Sequence, residues 1–219
     1  MKKLLFILLF IFSMSMTAQY NRRDGNRIGL SGGITRMSLI TSNFATKPSN
    51  GWIGGLSIRG NYYNDFIMTF GMNFTESNFT VATFNTLLQA EDVNYKLMAA
   101  QIRLVLSYNL IEDHLSIEAG PVLQINDKLK INSNDENNVI AGSNLLTAID
   151  ITDITKINGN IYAGLSAGTK KLKIVLSYQY GLNNIMNNLN KSSILKLKNN
   201  NSSFQGNIGI ISGQLMFNL

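Results

Sequence analysis

The chain contains no cysteine and a single histidine in 219 residues. Without cysteine it can form neither a disulfide nor a thiolate site, so thiol chemistry and disulfide scaffolds are excluded. With His114 alone, any histidine general base must be that residue. Charged residues make up only 15% of the chain. The basic ones are scattered singly, without interleaved aromatics in a patch, so the formal charge of +6 carries no nucleic-acid footprint. Long apolar runs are missing after the N-terminus, where nothing approaches the about 20 residues of a membrane-spanning helix. Any membrane-spanning form must therefore be a closed β-barrel, the other structure that satisfies every backbone polar group in hydrocarbon.

What is present begins with Met1-Lys2-Lys3, an apolar run over residues 4–12, and the small and polar stretch Ser13-Met14-Ser15-Met16-Thr17-Ala18. This order of basic start, short apolar run and small residue reads as a secretory signal peptide over residues 1–18, with cleavage after Ala18. The run is too short to span a bilayer. No cysteine follows it, which excludes lipid attachment at a mature N-terminal cysteine. Residues 19–219 suit one all-β domain.

A period of two recurs in eight segments, at residues 27–39, 51–62, 66–76, 95–110, 115–126, 157–168, 172–180 and 204–219. The third is the clearest. Phe66, Met68, Phe70, Met72 and Phe74 share one face, a set expected to meet lipid, while the residues between them are mostly small or polar. In the eighth, Phe204, Ile208 and Ile210 are out of phase with Ile211, Leu215 and Phe217, which predicts a bulge near Ile210-Ile211. Connections alternate in length. Those at 63–64, 111–114 and 169–171 are tight, whereas those at 40–50, 77–94, 127–156 and 181–203 are long and rich in Asn, Ser, Thr and Asp. Short periplasmic turns opposite long extracellular loops are the pattern of an eight-stranded antiparallel transmembrane β-barrel. Within the second loop, Phe84, Leu87 and Leu88 have helical spacing, which allows a short amphipathic helix over residues 81–91.

An eight-stranded barrel is just wide enough for side chains to fill it. The inward set is Gly, Ser, Thr, Asn and Gln, with Arg59, Arg103, Glu118 and Lys173 as a polar network among them. Arg103 and Glu118 lie on adjoining strands and are expected to form an ion pair, because an unpaired charge in a closed lumen is costly. Tyr62, Tyr108 and Phe217 fall near one rim, and Trp52, Tyr178 and Tyr180 near the other, as aromatic girdles do.

The segments Ile117-Glu118-Ala119-Gly120-Pro121 and Tyr178-Gln179-Tyr180-Gly181-Leu182-Asn183-Asn184-Ile185 resemble the PorT-like outer-membrane β-barrel domain family of Bacteroidota. The resemblance follows the strand order through the mature chain and departs in the long loop at 127–156. It implies an eight-stranded barrel with a cleaved signal, placed in the cell outer membrane; some members belong to the type IX secretion and gliding machinery while most have no assigned activity, which leaves an association with type IX secretion open.

No catalytic, cofactor or metal site is expected. His114, with Glu112 and Asp113, sits in a tight turn. Asp127, Asp135 and Glu136 lack the spacing of a calcium loop. Gly29, Gly32 and Gly33 do not open a helix and fit close strand packing rather than a phosphate loop. The sequence therefore points to a monomeric, non-enzymatic barrel of structural or interaction type. Its partners would be outer-membrane lipid and an envelope or secretion-system protein met through the loops. A narrow pore for small solutes, an outer-membrane enzyme built on His114, and a soluble barrel holding an apolar ligand stay open as alternatives.

Overall fold

The computed structural model describes residues 26–143 and 145–219, so the expected signal segment, 1–18, lies outside the described residues. The strands are β1 (Arg27–Ile40), β2 (Thr46–Tyr63), β3 (Phe66–Phe84), β4 (Ala90–Ile111), β5 (Leu115–Asn126), β6 (Val139–Ile140), β7 (Ile157–Gly168), β8 (Leu172–Gly181) and β9 (Asn207–Asn218). A six-residue helix, α1 (Ser193–Lys198), lies between β8 and β9. All pairings are antiparallel in the order β2-β1-β9-β8-β7-β5-β4-β3, and β2 pairs again with β3 to close the ring. β6 only extends the far end of β3. The other eight strands thus form a closed barrel, and closure leaves no unpaired edge in the ring.

At one end the ring is closed by three tight turns. Each contains a residue with positive φ, namely Asn64 at 47°, Asp113 at 58° and Gly168 at 149°. Asn, Asp and Gly are the residues that take this conformation at least cost. The wall is tight enough at Gly33 that a Cβ there would stand 2.0 Å from the Gly213 carbonyl oxygen of β9. At Gly71 the missing side chain makes room for Arg103, whose Nε would lie 2.7 Å from an added Cβ.

The strands change character along their length. Near the turns, the outward residues of β3 are Phe66, Met68, Phe70, Met72 and Phe74, exposed by 36 to 64%. Ile67, Thr69, Gly71, Asn73 and Thr75 alternate with them and are buried inside. Above Glu76 the same strand reverses: Asn78, Thr80 and Ala82 alternate with buried Phe79 and Val81, which point inward. β4 reverses between Met98 and Lys96, with Val93, Tyr95 and Leu97 inside and Asp92, Asn94 and Lys96 outside. In β1 the exposed Ile28, Leu30 and Ile34 give way to exposed Arg36 and to buried Met37 and Leu39. The turn half is apolar outside and polar inside; the loop half is the opposite.

This reversal corrects three sequence expectations. No bulge exists in β9, whose pairing with β1 runs unbroken from Gly29↔Asn218 to Ile40↔Asn207. Ile208 and Ile210 are inward residues of the loop half, and Ile211 is an outward residue of the turn half. The second long loop is mostly strand, since β3 and β4 stay paired from Phe66↔Tyr108 to Phe84↔Ala90. Asp92, Asn94 and Lys96 lie on the outer side of that sheet, while Ser77 and Thr83 are buried on the inner side. For the same reason residues 81–91 contain no helix; they are two strand ends and a tight turn carrying exposed Leu87 and Leu88.

Candidate functional site

The lumen is layered. Nearest the turns, Arg59 Nη2 donates to Glu118 Oε1 at 2.8 Å, and Arg59 Nε donates to Thr69 Oγ1 at 3.3 Å. Tyr162 Oη donates to the other carboxylate oxygen of Glu118 at 3.0 Å. Arg103 lies over the Tyr162 ring, with 5.8 Å from guanidinium carbon to centroid, a cation–π contact. Arg59, Arg103, Glu118 and Lys173 are all buried. The expected ion pair of Arg103 with Glu118 is replaced by Arg59 with Glu118, joining β2 to β5 across the lumen. The register explains the exchange: Ser107 stands opposite Glu118, and Arg103 stands opposite Val122, further from the turn. Tyr162 couples the two arginines, a role that its ordinary alternation in β7 gives no means of singling out.

Above the charges lies a layer of amides. Gln124 Oε1 accepts from Gln101 Nε2 at 2.8 Å and from Asn160 Nδ2 at 2.9 Å, and Gln124 Nε2 donates to Asn126 Oδ1 at 2.7 Å. Asn126 passes the chain on to Asn158 Oδ1 at 2.6 Å. Several neighbouring groups find no protein partner, among them both amide atoms of Asn73, Nη1 of Arg59 and Nε of Arg103. Buried polar atoms of this kind call for water. The lower lumen is a polar filling that opens toward a cleft of about 60 Å³ at the turns, lined by Arg27, Arg59, Asp65, Glu112 and Asp113 among others.

The upper end is sealed. Phe79, Val81, Val93, Tyr95 and Leu97 of the upper strands pack with Leu129, Ile140, Leu146, Ile151 and Ile154 from the connection after β5. Ile185, Met186, Leu189 and Phe204 from the connection before β9 complete this core. The Phe79 and Tyr95 rings stack at 5.3 Å, and Tyr95 Oη donates to the Ala148 carbonyl at 2.9 Å. Burial raises the Tyr95 hydroxyl well above its ordinary range, so it stays a donor. The void within this core is about 10 Å³, no more than one water. Burying each Leu, Ile, Val, Met or Phe stabilises by about 1.5–3 kcal/mol relative to exposure, so the cap is a cohesive folded unit.

Asparagine side chains hold the cap's backbone. Asn184 Oδ1 accepts from the amides of Met186 at 3.0 Å and Gly206 at 2.9 Å, and its Nδ2 donates to the Phe204 carbonyl at 2.8 Å. Asn190 brackets Phe204 from both sides at 2.8 and 2.9 Å. Lys198 Nζ reaches Asp150 Oδ2 at 2.8 Å, tying α1 to the turn at Ala148–Ile151. Burial alone would raise the Asp150 carboxyl, but this contact and the amide of Thr147 hold it below the usual range.

The remaining sequence candidates sit apart. His114 lies in the exposed β4–β5 turn, with Nδ1 2.8 Å from the Glu112 carbonyl oxygen. Asp113 beside it is committed to Lys170 Nζ at 3.0 Å and Arg27 Nη1 at 3.6 Å. Asp127 meets Lys130 at 3.2 Å. Among the described residues, no group of three or more His, Asp or Glu is placed to hold a metal ion. Burial would raise the Asp113 carboxyl, but the donation from Lys170 and the charges of Lys170 and Arg27 outweigh it and lower it.

No family model and no curated protein matches the sequence. Among solved structures, Neisserial surface protein A is similar at 12% identity and a TM-score of 0.48, over 89% of this chain and 99% of its own. Ail of Yersinia pestis, solved with the heparin analogue sucrose octasulfate, also shows 12% identity and a TM-score of 0.48, over 90% of this chain and 100% of its own. The outer membrane protein OprG of Pseudomonas aeruginosa shows 8% identity and a TM-score of 0.47, over 91% and 98%. The fold rests on the chain's own geometry: an all-β antiparallel barrel closed through β2 and β3, polar within and apolar without over its turn half.

Proposed function

We propose that the protein spans the outer membrane as a sealed eight-stranded barrel and acts by presenting its folded cap to a partner outside the cell. One observation carries this reading: the reversal of polarity within single strands. An apolar exterior around a polar interior suits strands in lipid, and an apolar interior under a polar exterior suits strands in water. A chain that changes from one to the other at Glu76, Lys96 and Arg36 is matched to a bilayer boundary at that level. Tyr62, Tyr63, Phe66 and Tyr108 near the turns, and Trp52, Tyr178 and Tyr180 at the boundary, suit the two interfaces. The turns then face the periplasm and the cap faces outward.

The cap argues against the narrow-pore alternative, since buried side chains from both long connections pack across the upper lumen and the cavity among them is about the size of one water. Purified protein in planar bilayers is expected to give no steady conductance, and a reproducible single-channel current would overturn the sealed reading. Cell fractionation is expected to recover the chain with outer membranes; recovery from the soluble periplasm would overturn the membrane placement. A non-enzymatic role is part of this proposal, supported by His114: it lies in an exposed turn, and its hydrogen-bond partner among the described residues is the Glu112 backbone carbonyl rather than a carboxylate. The PorT-like resemblance supports an envelope protein as partner, within or beside type IX secretion. Mild detergent extraction and co-purification tests that part: recovery of secretion components supports it, and recovery of the barrel alone removes it.

A further inference from the structure

Between the connections after β5 and before β9 lies an open groove of about 580 Å³ lined by Lys128, Asp153, Lys156, Asn187, Asn188 and Lys191, among others. Its position is set by the sheet. Ile125 and Ile157 are register partners, both exposed, and are the last outward apolar residues of β5 and β7. Lys156 immediately precedes Ile157, its carbonyl accepting the Asn126 amide at 2.7 Å, and Lys128 follows Ile125 by three residues. Both lysines are therefore anchored directly above the top of the apolar belt.

The charges do not cancel there. Asp153 is the one carboxylate lining the groove; it stands 3.7 Å from Lys128 Nζ and accepts from Asn188 Nδ2 at 2.7 Å. Lys156 and Lys191 have no ion pair among the described residues. Nearby cations differ: Lys96 at the boundary meets Glu76 at 3.4 Å and Lys47 above it meets Asp92, while Arg36, across the barrel, stands alone among the described residues rather than in a cluster. A groove with surplus positive charge, opening at the level where acyl chains end, fits an anionic headgroup whose tails lie against Ile125 and Ile157.

We infer that this groove binds the phosphorylated headgroup of an outer-leaflet lipid, with Lys128, Lys156 and Lys191 as the phosphate contacts. The inference rests on the membrane placement proposed above. The test reconstitutes the full mature protein in phosphatidylcholine vesicles containing either bis-phosphorylated lipid A or its dephosphorylated form. Insertion is scored by heat-modifiable electrophoretic mobility, and lipid retained after detergent extraction is counted by native mass spectrometry. Retention of the phosphorylated form is expected, with on the order of a hundredfold weaker retention in K128Q/K156Q/K191Q, about fivefold per lysine. K171Q, in a turn at the opposite end, is expected to match the parent. Inserted protein that retains both lipids equally, or a triple variant that retains as much as the parent, overturns the inference. Displacement by millimolar inorganic phosphate overturns the assignment to lipid. Failure to insert counts instead against the membrane placement.

Discussion

The two halves of β3 and β4 are built from one continuous pairing, yet they are organised for different solvents. Near the turns Phe70 faces out and Asn73 faces in; further along, Thr80 faces out and Phe79 faces in. The backbone alternation is identical in both, so it is the medium outside that decides which residues are tolerated on which face. Hydrogen bonds and an ion pair fill the first interior, and tight apolar packing fills the second. Loss of a side chain should therefore break the halves in different ways.

The largest effect is expected in the cap. Phe79→Ala removes a stacked, fully buried ring and should cost about 3–5 kcal/mol. The loss should appear as faster proteolysis of the connections at 127–156 and 182–206, while the turn half keeps its heat-modifiable mobility. Simultaneous loss of the barrel would mean that the halves are one cooperative unit. In the turn half, Glu118→Gln leaves Arg59 with a weakened buried partner, and removal of one member of a buried pair costs on the order of 3–5 kcal/mol. Urea unfolding from vesicles measures this, and Arg59→Met with Glu118→Gln should recover part of the loss. Phe70→Lys puts a charge on the outward face and should cost about 2–4 kcal/mol if that face meets lipid; Thr80→Lys, outward in the cap half, should stay within about 0.5 kcal/mol. Equal effects at the two positions would remove the distinction between the exteriors. Tyr95→Phe deletes the bond to Ala148 and should cost about 1–3 kcal/mol, read as faster exchange of amides in the connection at 127–156.

The smallest effect concerns the turns. Because Lys170 and Arg27 hold the Asp113 carboxyl below its ordinary 3.8, its contribution to stability is fully present above that pH. It fades as the pH falls through the lowered value. Asp113→Asn should abolish this acid-side loss and lower stability at neutral pH by about the amount the parent loses on acidification, so that the two converge at low pH, as a titration of unfolding midpoints would show.

The barrel was legible because its signal is repeated: a period of two shows within windows of about ten residues, and the alternation of short and long connections follows from where those windows fall. The cap was not, because its core joins Phe79, Ile140, Ile185 and Phe204 from distant segments, none periodic in itself. Two clues were present. The phase change at Ile210-Ile211 marked the reversal of faces and read as a bulge, and the asparagines at 184 and 190 read as loop composition although they serve as backbone partners. The four buried charged positions could be picked out by alternation. Their pairing could not, since it depends on register and on reach across a lumen one side chain wide.

The length of the β3–β4 hairpin has a consequence for contact with anything outside. β4 has 22 residues, about 75 Å of strand at roughly 3.4 Å per residue. With a tilt of about 45° it rises about 50 Å, against an apolar band about 25 Å tall. Residues 90–97, beyond the reversal between Met98 and Lys96, supply about 20 Å of that climb, so in the membrane placement proposed above the turn bearing Leu87 and Leu88, with Leu88 in a left-handed conformation at φ 59°, stands clear of the apolar band. An approaching surface would meet this leucine pair well before it came within range of the membrane.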